Sequence, residues 1–153
     1  MQLWILRHGR AEPFQDIDAS RALVTSGRQE VRHMVTQQRH KMPAVSEVWV
    51  SPYVRARQTA AIAREALGGL SARCEQVSEL LLPEARVSSL IEALYQSGLD
   101  SVLLVSHQPL VSTLLDVLCG PAEPHYMQTA SLAAVELEVV AAGMGRLQWL
   151  EHP

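Results

Sequence analysis

Three short, largely apolar runs most constrain how this chain can fold: residues 3–6, 47–50 and 101–105. They are continuous rather than alternating with polar residues, which is typical of strands covered on both faces in a parallel sheet. Each run is followed by a segment with helical character, at residues 26–41, 52–67 and 109–118. Strands that alternate with helices predict an α/β fold, with a mostly parallel central sheet flanked by helices.

The remaining segments complete this prediction. Residues 71–77 predict a short strand, and residues 86–97 predict an amphipathic helix that ends at Gly98. Residues 130–140 and 145–152 predict two strands that form a C-terminal hairpin at the edge of the sheet. The 153 residues contain no internal repeat or linker, so we expect a single domain over 1–153.

Composition limits the classes of function and the cellular compartment that we expect for this protein. With 48% hydrophobic and 19% charged residues, the sequence is typical of a globular protein. A net charge of −3 gives no reason to expect nucleic acid or a membrane as partner. Cys74 and Cys119 lie far apart, as in proteins of reducing compartments. The N-terminal apolar run is too short for a signal peptide, and no run reaches the roughly 18 residues of a membrane span. We therefore expect a cytoplasmic protein.

Polar residues follow each apolar run, at the point where the predicted strand ends. They are Arg7, His8 and Gly9, then Ser51, Pro52, Arg55 and Arg57, and finally Ser106, His107 and Gln108. Ligands of open parallel sheets bind beyond the carboxyl ends of the strands. We therefore expect two histidines and at least two arginines to converge there.

The start of the second helix adds to this cationic group. Ser51 followed by Pro52 predicts an N-cap serine with proline at the first helical position. Helix N-termini favour anions, and arginine beside one forms a good receptor for phosphate or carboxylate. Taken singly, each histidine or arginine is more often a structural or solvated residue. Their convergence without neutralising carboxylates predicts an oxyanion site.

The same residues carry a family resemblance. Three segments carry it: Leu-Arg-His-Gly-Arg-Ala at 6–11, Ser-Pro-Tyr-Val-Arg-Ala-Arg-Gln-Thr-Ala at 51–60 and Val-Leu-Leu-Val-Ser-His-Gln-Pro-Leu-Val at 102–111. In this order, they resemble the motifs of the histidine phosphatase superfamily, the phosphoglycerate-mutase-like enzymes. Residues 21–27 resemble the family segment that leads into the first helix. The short length and the last motif are most similar to the SixA-like phosphohistidine phosphatases.

The resemblance implies a phosphatase that uses neither metal nor cofactor. His8 would attack phosphorus and form a phosphohistidine intermediate, which suits an imidazole whose ordinary pKa is about 6.5. The phosphoryl oxygens would be held by Arg7, Arg55 and His107, and substrate binding would also involve Gly9, Arg21 and Gln108. Gly9, without a Cβ, would let the phosphate approach the backbone closely. Arg57 would point about 200° away from Arg55 on the helix, so Arg55 is the predicted ligand.

Three positions depart from the family pattern. Arg10 stands where an acidic residue is common, and Val24 stands where a threonine usually opens the first helix, so Thr25 or Ser26 is expected to cap it. The general acid is expected in residues 78–86, with Glu79 the first candidate and Glu84 the second. An ordinary solvated carboxylate explains either glutamate equally well. A weak or absent acid would suit phosphohistidine better than a phosphomonoester, because nitrogen is protonated more readily than an ester oxygen.

The resemblance implies a phosphohistidine-bearing protein as substrate, such as the phosphotransfer domain of a signalling protein. We also expect a monomer. Two alternatives stay open. One is a phosphatase of the same superfamily that acts on a small phosphorylated metabolite. The other is a module that binds phosphate or a phosphoprotein without turnover.

Overall fold

Six strands form one sheet in the computed structural model, which describes residues 1–14, 16–120 and 124–153. The strands are β1 (Gln2–Arg7), β2 (Glu47–Val50), β3 (Glu75–Val77), β4 (Ser101–Ser106), β5 (Leu132–Leu137) and β6 (Gly145–Glu151). Their order across the sheet is β3-β2-β4-β1-β5-β6. The first four of these are parallel, whereas β5 runs antiparallel to β1 and to β6. The predicted α/β fold, with a hairpin at the sheet edge, is confirmed.

Four α-helices flank the sheet within the described ranges: α1 (Thr25–Gln38), α2 (Val54–Ala66), α3 (Val87–Ser97) and α4 (Leu110–Cys119). The predicted caps of the first two helices are wrong. Val24 is the N-cap of α1, and because its aliphatic side chain has no acceptor, no side chain caps the helix. Tyr53, rather than Ser51, is the N-cap of α2. None of the described helices has both the length and the apolar character needed to cross a membrane.

The core lies on both faces of the sheet, as the continuous apolar strands predict. In β1, Trp4 and Leu6 face the side covered by α1 and α2, while Leu3 and Ile5 face the side covered by α3 and α4. Burying a side chain of this size stabilises the fold by about 1.5–3 kcal/mol. Packing on both faces fixes the central strands and therefore fixes the loops that follow their carboxyl ends.

Candidate active site

The carboxyl ends of the three central strands lie side by side. In the register of the sheet, Arg7 lies opposite Ser106, and the His8 N–H donates to the Ser106 carbonyl at 3.0 Å. Ser51 N–H donates in the same way to the Val105 carbonyl, at 3.1 Å. The rings of His8 and His107 consequently lie 4.9 Å apart, centroid to centroid. The predicted convergence of the strand ends is confirmed.

A cavity of about 410 Å³ opens at this edge of the sheet. Of the predicted site residues, it is lined by Arg7, His8, Arg21, Arg55, His107 and Gln108. Arg10 and Asp18 line it as well. Among the described lining residues, four arginines therefore face a single carboxylate, and the cavity attracts anions.

The hydrogen bonds of His8 fix its tautomer. Its Nδ1 lies 2.7 Å from the carbonyl oxygen of Gly9, which can only accept, so Nδ1 carries the proton. The lone pair of Nε2 is then free, and it accepts a hydrogen bond from Arg55 Nε at 3.2 Å. Burial, together with the charges of Arg55, Arg7 and Arg21, lowers the pKa of His8 to about 4. His8 is therefore a neutral imidazole at pH 7, with an unprotonated Nε2 in the cavity.

His107 is held by Ser51 and Tyr53. Its Nε2 lies 2.6 Å from Ser51 Oγ, and its ring meets that of Tyr53 edge to face at 5.0 Å. Burial, then the neighbouring His8 and Arg55, lowers the pKa of His107 to about 2. Its Nδ1 is buried with no hydrogen-bond partner among the described residues. When the Ser51 hydroxyl donates to Nε2, Nδ1 is an N–H donor available to an anion.

Arg7 and Gln108 are both tied to the carbonyl oxygen of Met127. Arg7 Nη1 donates to it at 2.9 Å and Gln108 Nε2 donates to it at 3.0 Å. Gln108 Nε2 also donates to Ser112 Oγ at 2.6 Å, which uses both of its N–H groups. Arg7 Nε, in contrast, is buried without a partner in the described part of the chain and can bind an anion. Arg7 therefore suits phosphate better than Gln108 does.

Arg55 is 3% exposed and is held by Asp18, a residue that the sequence analysis missed. Its Nη1 donates to the Asp18 carbonyl at 2.7 Å, and its Nη2 donates to Asp18 Oδ2 at 2.9 Å. Burial raises the pKa of Asp18, but hydrogen bonding and charge from Arg55, then from Arg21, outweigh this and hold that pKa below its ordinary value. Asp18 is thus ionised at neutral pH. Arg57 instead pairs with Glu75 at 3.0 Å, outside the cavity.

Arg21 reaches the cavity from the segment that precedes α1. Its Nε donates to Asp18 Oδ1 at 2.8 Å, and its Nη1 donates to the Glu12 carbonyl at 2.9 Å. Arg10, where the sequence departs from the family pattern, is mostly exposed and lies 3.8 Å from Glu30. Arg21 is therefore fixed by its partners, whereas Arg10 makes only a long ion pair.

Gly9 packs directly against α1. A Cβ at Gly9 would lie 2.7 Å from the carbonyl oxygen of Gly27 and 2.8 Å from Val31 Cγ2, both in α1. These contacts are closer than real Cβ atoms show, so only glycine lets the loop after β1 pass over α1. Packing against α1 therefore requires glycine here, and the predicted role of Gly9 in substrate binding stays a prediction.

Glu79 and Glu84 do not reach the cavity. Both are exposed, and Glu79 begins the 3₁₀ helix Glu79–Leu81. Of the loop that holds them, Pro83 lines the cavity, whereas neither carboxylate does. Within the described ranges, no group of three or more His, Cys, Asp and Glu side chains is arranged to hold a metal ion.

Residues 3–81 match the pattern of the histidine phosphatase superfamily (branch 1). The chain belongs to this superfamily. Its members are phosphatases, and this chain is therefore a phosphatase. The family match covers Arg7, His8 and Arg55 but stops before His107.

Similar proteins cover most or all of the chain. Phosphohistidine phosphatase SixA of Escherichia coli (strain K12) is 34% identical over 155 residues, which cover 100% of this chain and 94% of that protein. A SixA homolog of Haemophilus influenzae is 30% identical over 144 residues, which cover 87% of this chain and 86% of that protein. A solved structure of the protein histidine phosphatase SixA complexed with tungstate superposes with a TM-score of 0.89 and 33% identity, covering 100% of this chain and 97% of that one.

Proposed function

We propose that this phosphatase removes the phosphoryl group from phosphohistidine in a partner protein, through a covalent intermediate on His8 and without a metal ion. The observation that carries the proposal is the state of His8. Its Nε2 is unprotonated, and it lies in a cavity lined by arginines. The names of the two curated relatives, both phosphohistidine phosphatases, support the same substrate class.

In the first step, the lone pair of His8 Nε2 attacks phosphorus. The new N–P bond forms as the P–N bond to the substrate imidazole breaks, and the bonding electrons return to the departing nitrogen. Arg7 Nε, His107 Nδ1 and the remaining N–H groups of Arg55 are the donors for the phosphoryl oxygens. Donors held in place before the reaction stabilise the transition state without reorganising.

The leaving group decides whether an acid is needed. Asp18, the carboxylate among the described lining residues, is ionised and has no proton to donate. A phosphoimidazole that carries a proton on its other ring nitrogen departs as neutral imidazole and needs no acid. An alkoxide leaving group would need one. The lack of a protonated carboxylic acid among the described residues that line this cavity therefore favours phosphohistidine over a phosphomonoester.

In the second step, water hydrolyses the intermediate. The water oxygen forms a bond to phosphorus while the P–N bond to His8 breaks, and its electrons return to Nε2. Both protons of the water leave with the inorganic phosphate. His8 keeps its proton on Nδ1 throughout, because that nitrogen donates to the Gly9 carbonyl. The enzyme returns to its starting protonation state.

The test is the dephosphorylation of a phosphorylated histidine phosphotransfer domain with EDTA present. We expect the wild type to release phosphate and His8→Ala to be inactive. His40→Ala, which changes an exposed histidine in the 3₁₀ helix Arg39–Lys41, is the matched control and should keep full activity.

Three results would count against the proposal. Equal activity of His8→Ala and the wild type would rule out His8 as the nucleophile. Loss of activity in EDTA would rule out metal-independent hydrolysis. Comparable or faster turnover of sugar phosphates would point to a small-metabolite phosphatase instead.

A further inference from the structure

The side-chain amide of Gln108 has a fixed orientation at the cavity around His8. Gln108 follows β4 and His107 in the chain, is half-buried and lines this cavity. Its amide lies 3.0 Å from the Met127 carbonyl oxygen, which can only accept, so the atom turned toward Met127 is Nε2. Nε2 also donates to Ser112 Oγ at 2.6 Å, which leaves it no further N–H. Oε1 is therefore the amide atom that remains for a partner in the cavity.

Ser112 holds this arrangement from α4. Its Oγ accepts from Gln108 Nε2 and, at 3.1 Å, from the N–H of Met127, a fully buried residue. One serine hydroxyl thus ties the Gln108 side chain to the residue whose carbonyl is the second acceptor of that amide. A polar group that is held in place before the reaction stabilises a transition state without reorganising.

Hydrolysis of an intermediate on His8 needs an acceptor for the attacking water. The water approaches phosphorus on the side opposite the His8 nitrogen, because the attacking and leaving atoms lie roughly in line. The described lining of the cavity is rich in donors, with four arginines. A water molecule among donors alone offers its lone pairs to them. An acceptor that takes one of its O–H groups instead turns a lone pair toward phosphorus.

Few side-chain acceptors among the described lining residues are available for this water. The two carboxylate oxygens of Asp18 already accept from Arg55 and Arg21. The Thr129 hydroxyl makes no hydrogen bond with the described residues that would fix its rotation. Gln108 Oε1 accepts no hydrogen bond within the described ranges, and its amide is held at Nε2. Gln108 thus combines a free acceptor with a fixed orientation.

We infer that Gln108 Oε1 orients the water that hydrolyses the phosphohistidine intermediate. This inference rests on the proposed function and adds a catalytic residue to its second step. The water oxygen bonds to phosphorus while the P–N bond to His8 breaks, and the bonding electrons return to His8 Nε2. Gln108 accepts a hydrogen bond from the water but takes no proton, so both protons leave with the inorganic phosphate. Ser112 is a positioning residue that acts through Gln108.

The test separates formation of the intermediate from its hydrolysis. Enzyme turning over a phosphorylated phosphotransfer domain is quenched in alkali, which preserves phosphohistidine, and intact mass gives the phosphorylated fraction of the enzyme. Gln108→Leu keeps the approximate size of the side chain and removes the amide. We expect it to hydrolyse the intermediate about tenfold or more slowly, so phosphorylated enzyme accumulates. Both kcat and KM should fall, while kcat/KM, which reports the steps up to formation of the intermediate, stays unchanged.

Further variants test the role of Ser112 and serve as controls. Ser112→Ala should also make phosphorylated enzyme accumulate, to a smaller extent, and Ser112→Thr, which keeps the hydroxyl, should behave as the wild type. Thr113→Val removes the hydroxyl of the next residue in α4, which is exposed and donates to the Pro109 carbonyl. Gln37→Leu repeats the glutamine substitution at an exposed position of α1. Both controls should show wild-type kinetics.

The outcomes separate this inference from the proposed function. A wild type that leaves the domain phosphorylated, or a His8→Ala variant as active as the wild type, would overturn the proposed function and this inference with it. An active wild type with unchanged kcat and no accumulation in Gln108→Leu would overturn this inference alone. So would a fall in kcat/KM without accumulation, since Gln108 would then act before hydrolysis. Greater accumulation in Thr129→Val than in Gln108→Leu would assign the water to Thr129 instead.

Discussion

Asp18 holds Arg55 by both of its terminal nitrogens. The Asp18 carbonyl accepts from Arg55 Nη1 at 2.7 Å, and the Asp18 carboxylate accepts from Nη2 at 2.9 Å. A guanidinium has five N–H groups. With Nε on His8, these bonds leave one N–H on each terminal nitrogen of Arg55 for phosphoryl oxygens. Asp18 therefore fixes the plane of the guanidinium while leaving it able to bind the substrate.

Asp18→Asn should lower kcat while the protein stays folded. The Asp18 carboxylate offers one oxygen to Arg55 and the other to Arg21, whereas asparagine is uncharged and replaces one of these oxygens with an NH₂ group that cannot accept. Misplacement of a group at the reacting centre costs up to about a hundredfold in rate, and we expect a loss of about tenfold or more. Steady-state kinetics measure it, with Asp100→Asn, at an exposed aspartate directly before β4, as the control.

The double variant separates positioning from a general structural role. If Asp18 acts through Arg55, then Asp18→Asn should cost little further activity once Arg55→Ala has been made. Additive losses in the two variants would contradict the positioning role. An unchanged kcat in Asp18→Asn alone would do so too.

The buried histidines should make the protein sensitive to acid. Burial and the neighbouring arginines lower the pKa of His8 to about 4 in the folded state, against an ordinary value of about 6.5. Between these values the unfolded chain binds more protons, so the free energy of unfolding falls as pH falls from about 6.5 toward 4. For His8 alone this loss is about 2 kcal/mol at pH 5. Urea unfolding at pH 7 and pH 5 measures it.

The matched variants assign that loss to His8. His8→Gln removes the titrating group, so its free energy of unfolding should fall less between pH 7 and pH 5 than that of the wild type. His40→Gln, which changes an exposed histidine, should keep the wild-type dependence. Identical dependence in His8→Gln and the wild type would show that His8 does not resist protonation in the fold.

Continuous apolar strands followed by helices predict both the α/β fold and the sheet edge where the site lies. His8, Arg55 and His107 could be found in this way because each follows a strand in sequence. Asp18 could not, because it begins a short 3₁₀ helix, Asp18–Ser20, whose sequence has no periodicity, and only tertiary packing brings it to Arg55. The composition of that segment gave no signal for this contact.

Ser51 and Gly9 each make a contact that local sequence rules do not predict. Ser51 has the right residue type for an N-cap, but its hydroxyl lies 2.6 Å from His107, a contact made across the sheet edge. Gly9 suits a phosphate-binding turn, and in addition α1 packs so closely against it that a Cβ at this position would clash. In both cases the residue type alone singled out the position. The contact that the residue makes there is with a residue distant in sequence, which the residue type could not predict.

Thr59 provides the last prediction, because it joins the loop of His8 to the helix of Arg55. Its Oγ1 accepts from the Gly9 N–H at 3.2 Å and donates to the Arg55 carbonyl at 2.8 Å, and the residue is fully buried. Thr59→Val keeps the shape but leaves the Gly9 N–H without its partner, which costs about 1–3 kcal/mol of stability. Because the Gly9 carbonyl orients His8, kcat should fall as well.

Thr59→Ser separates these two effects. It keeps the hydroxyl and loses a buried methyl group, so it should lose about 1 kcal/mol of stability but keep kcat near that of the wild type. Urea unfolding and steady-state kinetics on the same samples give both quantities. Equal values of kcat in the valine and serine variants would show that the hydroxyl of Thr59 does not position His8, since the two differ in whether that hydroxyl is present.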